Sequence, residues 1–259
     1  MKIVTWNVNG IRARKEYVEL FLLAHNPDIL CIQELKSSAE QVPVELFTNL
    51  GYKVALHGQP RWNGVLIASK WDIDSVVTKV SRVEGEQSRL IYVQSNGLHL
   101  VNLYCPQGSS ADSDKFVYKK EFYDGLIDWV SDTFQVDQDL ILTGDFNIAP
   151  YAHDLYDVSK FVNVPTFHPE ELIRWQKLLD WGLSDLSEGL WNPGTFTFWD
   201  YRFGAFQRNM GMRIDHFIGT ASIQKRVESM QVIRDFRKVK KGLKASDHAP
   251  VELVLKPVS

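Results

Sequence analysis

The sequence predicts an α/β protein in which two packed β-sheets are flanked by helices. About a dozen short segments are rich in β-branched and aromatic residues and are bounded by Gly, Pro or Asn, which is typical of strands. Only three longer segments have helical periodicity. Because a sheet must bury its hydrophobic face against another layer, many strands and few long helices favour two sheets packed face to face.

The predicted strands extend from the first residues of the chain to the last. They cover residues 2–8, 28–34, 52–58, 64–69, 75–80, 89–95, 98–105, 139–145, 195–199, 213–219, 226–233 and 249–255. Asn96 and Gly97 join the strands at 89–95 and 98–105, and an Asn-Gly pair between two such runs is a strong signal for a hairpin.

Two of the predicted helices carry clear end signals. The helix over residues 14–26 ends before Pro27, which cannot continue it. The helix over residues 169–182 has Pro169 in its first turn, followed by two acidic residues, and Gly182 as its stop.

The third predicted helix, over residues 114–134, is recognised by its apolar stripe. Spacings of three and four residues bring the members of the stripe to one face of the helix. They are Phe116, Tyr123, Ile127, Val130 and Phe134. Lys119 is expected on the exposed surface of this helix.

Composition bounds the class of protein. The 259 residues are 44% hydrophobic, which is enough for a sizeable core. No repeat, low-complexity tract or linker divides the chain, so we interpret residues 1–259 as one domain. The formal net charge of −3 excludes nucleic-acid binding by bulk positive charge, so such binding needs local patches. Cys31 and Cys105 lie in apolar runs without metal-type spacing and indicate buried thiols.

The sequence also predicts a location. No segment approaches the roughly 20 apolar residues of a membrane span. The chain opens directly on a predicted strand, without an apolar signal segment or a small-residue cleavage site. We therefore expect a cytoplasmic protein that has no membrane partner.

Six of the predicted strands are bordered or interrupted by polar side chains. These are Asn7 and Asn9, Gln33 and Glu34, Tyr104 and Gln107, Asp145 and Asn147, Asp215, and Asp247 with His248. One such group is most simply a turn or a cap, since Gly, Asp and Asn are turn residues. Six groups that converge on one rim would instead form an acid-rich pocket on a rigid scaffold.

Such a pocket predicts a metal cofactor. Mg²⁺ prefers oxygen ligands and typically takes one or two carboxylates together with a substrate phosphate. No Cys/His cluster exists to hold zinc, so Mg²⁺ is favoured, with Mn²⁺ as the alternative. A metal polarises a phosphoryl oxygen, an Asp can take a proton from water, and a His backed by an Asp can carry positive charge beside the reacting phosphate. The residue types therefore favour metal-assisted hydrolysis of a phosphate ester.

Eight short motifs carry a resemblance to a known family. In chain order they are "WNVNGIRAR", "QELK", "YCPQG", "GDFNIAP", "FHPEE", "WDYR", "GMRID" and "SDHAP". Each is weak alone, but the ordered set covers essentially the whole chain and resembles the exonuclease III / AP endonuclease family of the endonuclease–exonuclease–phosphatase superfamily. The resemblance implies a DNase I-like fold, a four-layered α/β sandwich of two mixed β-sheets flanked by helices.

The resemblance implies a metal site and a water-activating site. Glu34 would be the main metal ligand, with Asn7 and Asp247 close by. Asp145 would orient or deprotonate the attacking water. Asn147 would hydrogen-bond the scissile phosphate and steady Asp145.

The resemblance also implies how the phosphate is held. His248 would contact a non-bridging phosphate oxygen, and Asp215 behind it would hold its tautomer. Tyr104 would hydrogen-bond the phosphate or the leaving group.

The resemblance also implies which residues contact DNA. They are Asn9, Arg12, Trp62, Gln107, Phe198 and Met212. For Asn9 the alternative is a cap on the first helix, and for Phe198 and Met212 it is a place in the core. The basic run at 234–244 is interpreted as a solvated loop in which Asp235 forms salt bridges, with a contact to the duplex backbone as the alternative.

The implied function is a divalent-metal-dependent DNA repair nuclease that hydrolyses phosphodiesters. Its expected activities are 3′→5′ exodeoxyribonuclease, 3′-phosphatase or phosphodiesterase, and incision at abasic sites. Its expected partner is double-stranded DNA with abasic sites, nicks or blocked 3′ ends, and we expect it to act as a monomer.

Two alternatives remain. One is a superfamily phosphatase or phosphodiesterase acting on inositol phosphates or lipids, although those relatives tend to have a His in the strand that here carries Tyr104. The other is a non-catalytic DNA-binding module, which would require the loss of an acid or of the His, and none is missing here.

Thr166 bears on the choice of DNA lesion. Family members that incise abasic sites usually have Gly or Ser just before the stretch that here reads "FHPEE". Thr adds a methyl group and is stiff at χ1. If this residue lines the path of the extruded sugar, abasic incision is weakened relative to trimming of 3′ ends.

Overall fold

The computed structural model describes residues 1–80, 83, 85 and 87–257, and twelve strands lie within them. The strands are β1 (Lys2–Asn7), β2 (Ile29–Gln33), β3 (Lys53–His57), β4 (Val65–Ser69), β5 (Ser75–Val77), β6 (Leu90–Ser95), β7 (Leu98–Tyr104), β8 (Leu140–Asp145), β9 (Leu183–Asp185), β10 (Asp215–Thr220), β11 (Val227–Val232) and β12 (Val251–Leu255). Asn96 and Gly97 both have positive φ between β6 and β7, so the predicted hairpin is confirmed.

The strands form two six-stranded mixed sheets. Their orders are β11-β12-β1-β2-β4-β3 in the first sheet and β5-β6-β7-β8-β10-β9 in the second. Each sheet has one parallel pair, β1 with β2 and β7 with β8. The other strand pairs are antiparallel.

Five α-helices lie in the described parts of the chain. They are α1 (Lys15–His25), α2 (Glu45–Thr48), α3 (Asp114–Thr133), α4 (Pro169–Asp180) and α5 (Ala221–Gln224). The three predicted helices are α1, α3 and α4, and their ends agree with the prediction to within two residues. None of the described helices is both long enough and apolar enough to cross a membrane.

The sheets and helices stack in four layers. Ile3 and Ile29 of the first sheet pack against Ile141 and Phe217 of the second in a dry core between the sheets. The outer face of the first sheet packs on α1. The outer face of the second packs on α3 and α4. The predicted four-layered α/β sandwich of two mixed β-sheets is confirmed.

One predicted strand is wrong, and one strand was missed. Residues 195–199 were predicted from alternating Thr and Phe, but there only Phe198 makes isolated bridges, to Met212 and to His248. The hydroxyl of Thr197 accepts from the backbone N–H of Ile214, which replaces a regular ladder. Strand β9 is only three residues long and carries no periodic signal.

Lys119 is buried rather than exposed, so its predicted place on the surface is wrong. Its relative accessibility is 0%, and its ammonium pairs with the equally buried carboxylate of Glu171 on α4. The position lies three residues after Phe116 and four before Tyr123, which is the spacing of the apolar stripe itself. A charged residue on such a stripe is buried when a partner of opposite charge faces it.

Candidate active site

Polar groups from all six predicted strands meet at one edge of the sandwich, except that Gln33 is buried between the sheets, where it donates to Thr5 and Asn102. Parallel strands end at the same edge of a sheet, so the parallel pairs bring the ends of β1, β2, β7 and β8 together. The antiparallel neighbours begin at that edge. Asp215, the first residue of β10, lies opposite Asp145 in register, and His248 precedes β12 beside β1.

The backbone after β8 presents Asp145 to this edge. Gly144 has a φ of +133°, and a Cβ there would overlap the carbonyl oxygen of Leu103, so glycine is required. Asn147 has a φ of 51°, and its backbone N–H donates to Oδ1 of Asp145 at 2.9 Å. The side chain of Asn147 donates to the carbonyl of Cys105 at 2.9 Å. Asp145 is therefore held by the turn that follows it.

Asn7 connects the acids of the two sheets. Its side-chain Nδ2 donates to Oε1 of Glu34 at 2.8 Å and to Oδ2 of Asp145 at 2.9 Å. Its Oδ1 accepts from the backbone N–H of Asn9 at 3.0 Å, which fixes the orientation of the amide. Ser246 also donates to the carbonyl of Asn7.

His248 lies between two buried carboxylates. Its Nδ1 is 2.8 Å from Oδ2 of Asp215, and its Nε2 is 3.7 Å from Oδ2 of Asp145. Burial alone would lower the pKa of His248, but these carboxylates outweigh it and raise the pKa to about 10. The ring is therefore an imidazolium at neutral pH and can donate from Nε2.

These three side chains also satisfy the geometry of a metal site, since their ligand atoms lie within 4.8 Å of one another. The contact between Nδ1 of His248 and Oδ2 of Asp215, at 2.8 Å, has the length of a hydrogen bond. We therefore interpret Asp215, His248 and Asp145 as a hydrogen-bonded and ion-paired triad.

Asp145 has the chemistry of a base at neutral pH. Burial raises its pKa to about 7, the cation of His248 opposes that rise, and the nearby carboxylate of Asp215 adds to it. A general base works best when its pKa lies near the working pH.

The carboxylate of Glu34 already binds a cation. Its Oε2 is 2.6 Å from the ammonium of Lys36, which also donates to Oδ1 of Asn9 at 2.6 Å. Burial raises the pKa of Glu34, but Lys36, the hydrogen bond from Asn7 and the charge of His248 together outweigh burial, and the pKa is lowered. Asn9 in turn donates to Oδ1 of Asp247 at 3.0 Å. Lys36 was missed in the sequence, although it ends the motif "QELK".

The oxygen atoms around Glu34 are suitable ligands for a hard divalent cation. Glu34, Asn7 and Asp247 offer oxygen atoms only, and both cysteines are buried in apolar surroundings. The ammonium on Glu34 shows that this part of the site accommodates positive charge. A divalent ion that keeps several waters would take only one or two of these carboxylates.

Tyr104 lies beside the acids as a hydrogen-bond donor. Burial raises its pKa well above the usual value, and Glu34 and Asp145 add to this effect. The guanidinium of Arg89 stacks over its ring at 4.9 Å from the centroid. The hydroxyl therefore stays protonated at neutral pH.

Of the predicted DNA contacts, Asn9 lies within this cluster and the others lie around it. Trp62 is 67% exposed, and it lines a groove of about 470 Å³ that also includes Tyr104 and Gln107. Arg12 is exposed and hydrogen-bonds Gln41. The ring centroids of Phe198 and His248 are 4.9 Å apart.

Phe198 and Met212 belong to a small apolar cluster next to the triad. Its buried members are Ala149, Leu155 and Ile214, and Phe198 and Met212 pack against them while half-exposed. This apolar surface is partly open and lies beside the triad.

The basic run at 234–244 is mostly engaged within the protein. Asp235 pairs with Lys238 at 3.1 Å and with Lys240, so its predicted role in salt bridges is confirmed. Arg237 is buried and donates to the carbonyls of Trp199 and Asp247. The latter contact ties this run to the active-site loop.

Comparison with known proteins assigns the family. The model of the Endonuclease/Exonuclease/phosphatase family matches residues 4–248. The chain belongs to this family. Exodeoxyribonuclease III of Haemophilus influenzae is 32% identical to it, across 97% of this chain and 98% of the relative.

Two solved structures of the family are similar to this one. A Neisseria 3′ phosphatase, NExo, bound to a product DNA hairpin, has a TM-score of 0.94 at 33% identity and covers 99% of both chains. An AP endonuclease from Archaeoglobus fulgidus has a TM-score of 0.94 at 32% identity and covers 99% of this chain and 100% of that one. Within the Endonuclease/Exonuclease/phosphatase family, this chain is a hydrolase and a DNA repair nuclease.

Proposed function

We propose that the chain hydrolyses phosphodiesters at damaged or terminal positions of double-stranded DNA. The proposed activities are 3′→5′ exodeoxyribonuclease, 3′-phosphatase or phosphodiesterase, and incision at abasic sites. One observation carries the proposal: Asp145 is fixed by two N–H donors, and the imidazolium of His248 lies 3.7 Å away. A base and a cation side by side suit a phosphate that is attacked by water.

Each catalytic side chain has a step in this proposal. Asp145 takes a proton from the attacking water. His248 donates from Nε2 to a non-bridging phosphate oxygen, and Asp215 holds its Nδ1 proton. Asn147 uses one amide hydrogen on Cys105 and has a second for the phosphate. Tyr104 donates to the phosphate or to the leaving oxygen.

We propose Mg²⁺ as the cofactor, with Mn²⁺ as a substitute. Glu34 would hold it, with Asn7 and Asp247 nearby. When bound, the ion neutralises charge that develops on the phosphate and helps to orient the reacting groups.

The DNA contacts of this chain are also proposed. Trp62, Gln107 and Arg12 would lie along the duplex, with Asn9 close to the phosphate. Phe198 and Met212 would wall the space for an extruded abasic sugar. We propose that the enzyme acts as a single-domain monomer in the cytoplasm.

Three DNA substrates test the proposed function. A duplex with an abasic site, a duplex with a nick that carries a 3′-phosphate, and a blunt duplex are each incubated with the protein and Mg²⁺. We expect cleavage or phosphate release on all three, with 3′ ends processed faster than the abasic site. Phosphate release from a soluble inositol phosphate, with no reaction on any DNA, would instead support the phosphatase alternative.

Removal of the metal gives a further prediction. Treatment with EDTA should abolish hydrolysis, and excess Mg²⁺ or Mn²⁺ should restore it. Glu34→Gln should raise the Mg²⁺ concentration needed for half-maximal activity, because one negative ligand is lost. The matched control is Glu121→Gln, an exposed acid on α3. Full activity after thorough chelation would contradict the role of Glu34.

Substitution of Thr166 addresses lesion choice. Thr166 is 6% exposed, and its φ of 98° is a conformation that glycine adopts without strain. Its carbonyl accepts from Ala149, a member of the apolar cluster beside the triad. If its methyl narrows the sugar path, Thr166→Gly should raise abasic incision selectively, by up to roughly 10- to 200-fold.

The control for this effect is Thr166→Ser, which removes the methyl and keeps the hydroxyl. It should recover much of the gain on abasic DNA and leave the rate on the 3′-phosphate nick unchanged. Equal changes on both substrates, or no change, would show that Thr166 does not limit entry of the abasic sugar.

A further inference from the structure

A buried ion pair lies beneath the active-site loops, outside the groups assigned above. Lys119 of α3 and Glu171 of α4 are both completely buried and pair with each other. When hydrophobic residues replace a buried ion pair, the folded protein is often as stable as before or more stable. Stability alone therefore does not explain why a charged pair occupies this position. The other hydrogen bonds of Lys119 and Glu171 indicate a further role.

The ammonium of Lys119 uses its three donors on three acceptors. One is the carboxylate of Glu171. The second is the carbonyl of Asn147, at 2.8 Å, and the third is the carbonyl of Gln107, at 3.2 Å. Lys119 therefore joins the loop after β7 to the loop after β8.

Glu171 extends the same connection to a third loop. Its Oε2 accepts from the backbone N–H of Thr166 at 2.9 Å and of His168 at 3.1 Å. The carbonyl of Thr166 then accepts from Ala149 at 2.8 Å. The pair thus ties together three loops that carry Gln107, Asn147 and Thr166.

The connection reaches the catalytic base through Asn147. Lys119 fixes the carbonyl of Asn147, and the N–H of the same residue donates to Oδ1 of Asp145. Asn147 has a left-handed backbone, with a φ of 51°, which Asn tolerates in turns, and these contacts hold it on both its N–H and its carbonyl.

We infer that Lys119 and Glu171 are positioning residues for the nuclease reaction, which hold Asn147 and thereby the carboxylate of Asp145. The inference rests on the roles proposed above for Asp145 and Asn147. Lys119 touches neither the phosphate nor the metal site in this account. Its contribution is the alignment of the loops, and misalignment of reacting groups by about 1 Å lowers a rate by roughly 100-fold.

The test separates alignment from stability with two variants. Lys119→Met leaves the carboxylate of Glu171 buried without a partner, so it should unfold at a lower temperature and lose activity. The double variant Lys119→Met/Glu171→Gln removes both charges and keeps an acceptor for the N–H groups of Thr166 and His168. Its Tm should return most of the way to the wild-type value. The matched control is Lys177→Met, an exposed lysine on α4.

The double variant should still turn over slowly. In the Mg²⁺-loaded enzyme we expect kcat on the 3′-phosphate nick to fall roughly 10- to 100-fold, with little change in KM. Without DNA, hydrogen exchange should accelerate at the amide of Asn147 and remain unchanged in strand β8. Lys177→Met should match the wild type in each measurement.

Each outcome decides the inference. A double variant with wild-type kcat and wild-type exchange at Asn147 would overturn it. Faster exchange with no change in kcat would overturn it as well, because alignment would then have no catalytic effect. A wild-type chain without activity on DNA would refute the proposed function, whereas the exchange measurement would still report on the structural link.

Discussion

Asp145→Asn should reduce single-turnover hydrolysis of a 3′-phosphate nick by roughly 100- to 10,000-fold, the range that a lost base and its electrostatic effects supply. The substitution is nearly isosteric, although the single amide oxygen of Asn can accept from only one of the two donors that now hold Asp145, the side chain of Asn7 or the backbone N–H of Asn147. The fold and the loop after β8 should therefore persist. DNA affinity should be equal or tighter, because one negative charge near the phosphate is removed.

The control for Asp145→Asn is Asp128→Asn, which changes an exposed acid on α3. It should leave the rate and the affinity unchanged. A near wild-type rate for Asp145→Asn would show that another group activates the water. A rate loss accompanied by an equal loss of DNA affinity would show that Asp145 serves in binding.

His248→Asn should cause a loss of similar size, roughly 100- to 10,000-fold in turnover, because the reaction loses a cation that faces the phosphate. The substitution also leaves the buried carboxylate of Asp215 without its partner at 2.8 Å. The free energy of unfolding should fall as well, so thermal unfolding is measured beside the rate.

A double-mutant cycle with Asp215→Asn separates these two effects. If Asp215 acts only through His248, the double variant His248→Asn/Asp215→Asn should be hardly slower than His248→Asn alone. It should also regain stability, since the unpaired carboxylate is gone. Losses that multiply in full would show that Asp215 contributes to the reaction by a separate route.

The layers of the fold could be predicted because they follow from local patterns. Alternation of apolar residues, the Asn-Gly hairpin and the helix end signals are properties of short segments, and each was observed. Residues 195–199 have the same alternation, yet Phe198 pairs with both Met212 and His248 instead of joining a sheet. Local propensity was overridden there by contacts distant in the chain.

The site could be predicted only in part from the residues themselves. The polar strand ends indicated where chemistry would lie, and the family resemblance supplied the role of each side chain. The contacts that orient them are long-range. Asp145 meets Asp215 through strand register, and Asn7 meets both sheets through their packing. Neither of these two contacts can be predicted from the spacing of residues in one sequence.

Lys119 shows why the burial of a charged side chain is hard to predict from sequence. Lysine side chains are usually exposed, so Lys119 was predicted to be exposed although it has the spacing of the apolar stripe. Its partner Glu171 lies on a different helix, and the two carbonyls that Lys119 binds lie in two loops. A buried charge becomes predictable only when its partner is known.

In the proposed reaction, this site activates water to attack phosphorus. The most direct test is mass spectrometry of the phosphate released from a 3′-phosphate nick in water enriched in oxygen-18, in a single turnover with Mg²⁺. We predict that each released phosphate carries one heavy oxygen, and that Asp145→Asn slows its release by roughly 100- to 10,000-fold without changing the position of the label. Released phosphate that lacks the label, with the heavy oxygen found on the sugar instead, would contradict the account.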